Sequence, residues 1–371
     1  MSRKHLHVVD SSSFELNIPE AELELMEEMI SAYEVRRLGS RNHKQKSVSS
    51  DTAVIRSFLT FIQKAPWNAT TDDFDAWCYQ IGREQKVATN SQRKYQSAVQ
   101  GFYRYIVDNV KFQAAVLDRY NLRIIQLVTE ENKIPHVHER QRTNERPAFT
   151  HQDFESFIGA IDVQIVEAYK FNSKEFLALQ RDKVMFYSMY VMALRNSECC
   201  DLNLSSFRSN PNLPEFGDYG FASVWGKGSK GSGPKQRAVA IDHADLPPLL
   251  DWYVNDIRPQ YLQKPHCDPN EEAFFLTERG SRMKSGSLNY RFKKILGYAG
   301  LSEKGFVPHC LRHTFTTHAS SAGMSLEYSK IKLGHEYAAT TQTYTHCGDE
   351  FVNREAVRYA QSIINRLSDD E

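Results

Sequence analysis

Apolar residues return every three to four positions along most of this chain, and one region breaks that spacing. In "SSDTAVIRSFLTFIQK" (49–64), Val54, Ile55, Phe58, Leu59 and Ile62 share a helical face. "TTDDFDAWCYQIGREQ" (70–85) opens on a threonine cap ahead of its acids. "TNSQRKYQSAVQGFYRYIVDN" (89–109) gives a third amphipathic helix with Tyr95, Val99, Phe102, Tyr103 and Ile106 as its core stripe. Arg93, Lys94 and Arg104 fall elsewhere on that helix. Before these helices, residues 19–35 predict an acidic amphipathic helix, followed by the basic run "RRLGSRNHKQK". Thr150 and Asp153 make a capping-box-like start for a further helix, and a long apolar helix ends near "MFYSMYVMALRNSECCDL". The break comes at "YGFASVWGKGSKGSGPKQRAVAI" (219–241), which reads as strand, glycine-rich turn, strand. Beyond residue 285 the helical period resumes, punctuated by Gly300, Gly305, Gly323 and Gly334.

These elements predict a mainly α protein with a small β-sheet (α+β). Residues 1–48 read as an N-terminal appendage and 49–130 as a helical domain. The polar stretch "EENKIPHVHERQRTNERP", with its two prolines, places a linker at 131–147. A second domain spans 148–350, and 351–371 forms a C-terminal helix. In that last helix Val357, Ala360, Ile364 and Leu367 make an apolar stripe that needs a partner, either its own domain or a neighbouring protomer.

At 371 residues, with 41% hydrophobic and 25% charged residues, the chain is ordinary for a two-domain globular protein. No apolar run reaches a membrane span and "MSRKHLHVVD" is no signal peptide, so a cytoplasmic location is expected. The six cysteines form no CxxC pair and read as reduced thiols. Lys+Arg and Asp+Glu balance at 46 each, yet residues 10–28 hold seven acids without a base and the chain ends in three more. With those ten set aside, 46 bases face 36 acids, an excess that suits a phosphate-binding surface.

Four segments carry candidate chemistry. "ALRNSE" sets Arg195 and Glu198 three apart on one helical face. "WGKGSKGSGPKQR" offers Lys227 at a hairpin tip, with Lys230, Lys235 and Arg237 after it. "HCLRHTFTTH" puts His309 and Arg312 on one face, and "LGHEYAATTQTYTH" supplies His335 and, nine residues on, Tyr344. Each has an ordinary reading alone: an ion pair, a solvated turn lysine, packed histidines, a packed tyrosine. His309 and His313, at i and i+4, also have a common metal spacing. However, His318 falls on the opposite face, no acid sits between the pair, and Arg312 would set a cation beside the metal.

Taken together and in order, A-L-R-x-x-E, G-K-G-x-K, H-x-L-R-H-T-x-x-T-H and L-G-H-x-x-x-x-T-T-x-x-Y-T-H resemble the tyrosine recombinase (phage integrase) family. The likeness is strong over 148–347 and weaker over 49–130, where the helices resemble the family's SAM-like core-binding domain. It implies a two-domain C-shaped clamp on DNA. It also implies a catalytic set of Arg195, Lys227, His309, Arg312, His335 and Tyr344, with Tyr344 forming a 3′-phosphotyrosyl link. Neither metal nor other cofactor is implied. The turn after Lys227 is longer and richer in glycine than the family's hairpin, so Lys230 or Lys235 could take the acid's place. Arg93, Lys94, Arg104, Lys230, Lys235 and Arg237 are candidate DNA contacts.

The chemistry itself asks for such a set. A tyrosine hydroxyl, with its ordinary pKa near 10, is ionised in only about one molecule in a thousand at pH 7, roughly 4 kcal/mol from a ready phenolate. A nucleophilic tyrosine therefore needs cations and a hydrogen-bonding base nearby. The partners that the resemblance implies are double-stranded DNA with inverted-repeat core sites, a tetramer of the chain on two duplexes, and accessory proteins. Rival readings are a type IB topoisomerase, a telomere resolvase, or a DNA-binding protein without catalysis.

Overall fold

The structure is a computed structural model that describes residues 16–135, 147–226, 235–263, 267–334 and 356–359. The chain folds as two compact units, one built from residues up to 135 and the other from residues 147 onward.

The first unit is helical. Helix α1 (Glu20–Leu38) is followed by α2 (Gln45–Ile62), α3 (Thr71–Tyr79), α4 (Thr89–Asp108) and α5 (Val110–Tyr120). Thr70 caps α3: its hydroxyl accepts from the Asp73 amide at 3.2 Å, and the Asp73 carboxylate accepts from the Thr70 amide at 2.9 Å. Asn109 interrupts the helix after α4, and its side chain accepts from the Lys111 amide at 3.1 Å to start α5. Val99, Phe102, Tyr103 and Ile106 of the predicted α4 stripe are buried, while Tyr95 packs on the edge of the core.

The N-terminal boundary differs from the expectation. Residues 20–38 are no appendage, because Leu25, Met26, Met29, Ile30 and Tyr33 of α1 are buried in the same core as Phe58, Phe74, Trp77 and Phe102. Burial of each such side chain contributes about 1.5–3 kcal/mol, enough to hold an acidic helix down by one stripe. Ion pairs reinforce the placement: Arg56 forks onto Glu27, and Arg37 meets Asp51 at 2.8 Å. The acids of α1 lie to the sides of its apolar stripe and do not prevent its burial.

The second unit begins with α6 (His151–Lys170), whose first turn is capped by the Thr150 hydroxyl accepting from the Asp153 amide at 3.0 Å. The central α7 (Phe176–Val191) is buried along most of its length. After the short α8 (Asn196–Cys200) comes a three-stranded antiparallel sheet in the order β1 (Phe207–Arg208), β2 (Phe221–Gly226), β3 (Lys235–Ala240). The predicted hairpin is β2–β3, in which Val224 lies opposite Arg237 and Gly226 opposite Lys235. β1, two residues long, carries no periodic signal. Helices α9 (Leu246–Trp252), α10 (Arg258–Leu262), α11 (Ser285–Tyr298), α12 (His309–Ser321) and α13 (Leu326–Leu333) complete the unit.

His318 shows how α12 is tied to the start of this unit. Its Nε2 lies 3.1 Å from the Phe149 carbonyl and its Nδ1 3.1 Å from the Tyr190 hydroxyl. A carbonyl can only accept, so Nε2 carries the proton and Nδ1 accepts from Tyr190. The last described helical turn, residues 356–359, places Ala356 and Tyr359 in the core of this same unit. The described turn of the predicted C-terminal helix thus packs in cis, and residues 351–355 and 360–371 lie outside the described residues. Among the described residues no helix is long and apolar enough to cross a membrane.

Candidate active site

Three guanidiniums converge on one buried carboxylate. Beyond α7 the chain turns sharply at Ala193, which has a left-handed φ of 50°. A non-glycine residue adopts that conformation only when its surroundings impose it. The turn delivers Arg195 to the start of α8, and Glu198 reaches back one turn. Its Oε2 accepts from the Arg195 amide at 2.8 Å and its Oε1 from Arg195 Nη1 at 2.5 Å. From β3, Arg237 adds a fork, with Nη1 at 2.8 Å and Nη2 at 2.9 Å from the same two oxygens. Arg312 of α12 brings Nη1 to 3.8 Å from Oε2.

Arg312 is held from two further sides. Its Nη1 donates to the Ala193 carbonyl at 2.8 Å, and its Nη2 donates to the Leu333 carbonyl at the end of α13. Arg237 Nε donates to the neighbouring Lys332 carbonyl at 3.2 Å. The end of α13 is therefore clasped by both arginines. Gly334 caps that helix with φ 58°, and a Cβ there would stand 2.8 Å from Arg237 Cδ. Only glycine fits both demands.

Among the described residues the electrostatics are lopsided, with three cations against one anion. Burial raises the Glu198 pKa, but the Arg237 and Arg195 hydrogen bonds outweigh it and hold the carboxyl at about 2. Burial and the neighbouring Arg195 and Arg237 charges push Arg312 down to about 9, against the opposing pull of Glu198. Arg312 stays charged at neutral pH, but it is under-compensated. A bound phosphodiester would supply the missing negative charge. Arg195 is one-third exposed on its side chain and can give its outer donors to such a group.

His309, half-buried, opens α12 one turn before Arg312, so the two share a helical face. Its ring meets His313 edge-on at 4.8 Å. Among the described residues no group of three or more His, Cys, Asp or Glu side chains is placed to hold a metal ion. Lys227, Lys230, His335 and Tyr344 lie outside the described residues. Lys235 is exposed at the first position of β3.

For Arg237, a candidate DNA contact, the structure places the guanidinium inside this cluster. Its guanidinium is committed to Glu198 and the Lys332 carbonyl, with its side chain only 14% exposed. The partner sits 39 residues away on another element, so no local spacing reveals the pair. In the first unit Lys94 is exposed and donates to Ser50 on α2 at 3.0 Å, Arg104 is exposed, and Arg93 is half-buried. Eleven residues apart on α4, Arg93 and Arg104 line up along the helix, separated by about 16 Å of axial rise.

The charge balance makes a prediction. Glu198→Gln should lower stability by about 3–5 kcal/mol, because three buried or half-buried guanidiniums lose their shared anion. The depressed Glu198 pKa fixes the pH window: the stabilisation is present above the carboxyl's ordinary value near 4.5 and is lost as pH falls toward 2. Sulfate should raise the melting temperature of the variant more than that of the wild type, with chloride at equal ionic strength as the control. An equal rise in both proteins would contradict the anion pocket.

Comparison with known proteins gives a consistent set of matches. The model of the phage integrase family matches residues 163–350, and that of the phage integrase N-terminal SAM-like domain matches residues 25–110. The tyrosine recombinase XerC of Anoxybacillus flavithermus is 25% identical over 276 residues, covering 74% of this chain and 76% of XerC. The crystal structure of the XerH site-specific recombinase bound to a palindromic difH substrate, a post-cleavage complex, superposes with a TM-score of 0.57 at 15% identity. That match covers 96% of this chain and 90% of XerH. A lambda integrase tetramer bound to a Holliday junction gives 0.55 at 18% identity, covering 85% of this chain and 78% of that one. The two solved structures speak to the fold.

Proposed function

This chain belongs to the phage integrase family, and from that membership we propose that it is a site-specific DNA recombinase working through a 3′-phosphotyrosyl intermediate. The observation that carries the reading is the convergence of Arg195 and Arg312, two of the positions expected from the motifs, on one buried acid that cannot neutralise both. In the proposed reaction the Tyr344 oxygen attacks a backbone phosphorus while its proton passes to a histidine, His309 or His335. Arg195 and Arg312 donate to the non-bridging oxygens, where charge grows. The bond to the 5′ oxygen breaks, and Lys227, or Lys230 or Lys235 from the same hairpin, gives that oxygen a proton.

The products are a 3′-phosphate ester of Tyr344 and a free 5′-hydroxyl. One phosphodiester is exchanged for another, so a 5′-hydroxyl from a second duplex can attack the ester and release the tyrosine without ATP. Arginine donors do the work that a divalent ion performs elsewhere, so none is required. Two duplexes call for several protomers. A tetramer fits this need, with any trans contact of the C-terminal helix falling outside Ala356 and Tyr359, which are buried in cis.

The test is strand exchange between two duplexes carrying the core site, in excess EDTA and without nucleotide. Recombinant strands with intact phosphodiesters are expected. Hydrolysed ends, an absolute requirement for magnesium, or plasmid relaxation without joint molecules would overturn the proposal.

A further inference from the structure

A second charged cluster lies behind the arginines, and nothing in the proposed chemistry uses it. Asp242, just past β3, is fully buried, as is Lys332 near the end of α13. Lys332 Nζ donates to Asp242 Oδ2 at 2.5 Å, and the Tyr328 hydroxyl donates to the same oxygen at 2.9 Å. Asp242 Oδ1 lies 3.0 Å from His243 Nδ1. The Lys332 ammonium also sits 4.4 Å over the Phe315 ring of α12. Burial raises the Asp242 pKa, but Lys332 and His243 outweigh it and hold the carboxyl at about 2.

A buried ion pair seldom adds net stability over apolar side chains of the same size, so its presence asks for another role. Its hydrogen bonds are directional, and what they direct is visible. The Lys332 carbonyl accepts from Arg237, the next carbonyl accepts from Arg312, Gly334 ends the helix, and His335 follows. On the other side of the cluster, the His243 ring packs 5.9 Å from that of Tyr359 in the turn 356–359. The cluster therefore meets the chain at Lys332, three residues before the segment 335–355, and at Tyr359, four residues after it.

We propose that the Asp242–Lys332 pair is a positioning device for strand cleavage, anchoring both ends of the segment that carries His335 and Tyr344 and holding the carbonyls that aim Arg237 and Arg312. It rests on the assignment of Tyr344 as the nucleophile. Neither residue touches the reacting atoms, so their loss should slow the covalent step and spare DNA binding.

The test uses the full chain and a nicked duplex that traps the adduct. Lys332→Met alone leaves the Asp242 charge buried and is expected to melt lower. Lys332→Met with Asp242→Asn removes both charges and should fold. At saturating duplex the double variant should form adduct about 10–100-fold more slowly, with its Kd for the duplex within about threefold of wild type. His243→Phe keeps both charges and the ring packing, and should slow the same step by about three- to tenfold at unchanged Kd. A folded double variant that forms adduct at the wild-type rate would overturn the proposal, as would a wild-type rate in His243→Phe. A Tyr344→Phe protein run alongside separates the two ideas. Adduct formed by that protein would overturn the nucleophile assignment. Its absence, together with a wild-type rate in the double variant, would overturn the positioning role alone.

Discussion

The Tyr344→Phe protein should bind a core-site duplex with wild-type affinity and form no covalent adduct. The change deletes one oxygen and leaves every cation of the pocket in place. The affinity of a protein for DNA comes chiefly from phosphate contacts, and a single neutral hydroxyl contributes little to it. In the proposed reaction that oxygen is the attacking atom, so its removal should stop the covalent step. A loss of at least about 10⁴-fold in adduct formation is expected. The check is a denaturing gel of nicked duplex incubated with each protein, beside a native gel-shift titration. A denaturant-resistant species from the variant would remove Tyr344 from the mechanism.

Arg312→Lys should lower the rate of cleavage by about 10²–10³-fold, although it conserves the formal charge. Arg312 is almost wholly buried and divides its donors between the Ala193 and Leu333 carbonyls, with Glu198 near one edge. A lysine offers a single ammonium on a flexible stem and cannot span the two carbonyls while also facing a phosphate. Its charge is also less secure. Burial and the adjacent guanidiniums already bring Arg312 down to about 9, and a lysine starts about two units lower than arginine, so it would shed its proton earlier. Residual activity of the variant should therefore begin to fall at a lower pH than that of the wild type. Single-turnover adduct rates across pH settle this, and identical pH profiles for the two proteins would contradict the placement of Arg312 as a buried, under-compensated cation.

What the sequence discloses follows from how far apart the partners lie. The helices over 49–64 and 89–109 and the 219–241 hairpin rest on local periodicity, and they appear as α2, α4 and β2–β3. The pairing of Arg195 with Glu198 is also local, being one helical turn. The joining of Arg237 to Glu198 and of Lys332 to Asp242 spans 39 and 90 residues, and no spacing rule reaches that far. The burial of α1 escaped for a different reason. Set off by the basic run after it, the helix reads as part of an appendage, whereas the five buried positions of its apolar stripe decide where it packs. β1, at two residues, is too short to carry a period.

The most direct measurement is to identify the protein atom joined to DNA. The full chain would be incubated in EDTA with nicked duplexes of randomised arm sequence, whose short cleaved fragment diffuses away so that the adduct cannot be resealed. After protease digestion, mass spectrometry of the DNA-linked peptide and sequencing of its DNA would give the residue, the linkage and the site together. A 3′-phosphate on the Tyr344 oxygen is expected, with a free 5′-hydroxyl on the released strand. Attachment at another residue, a 5′-linked adduct, or cleaved DNA with no protein attached would contradict it.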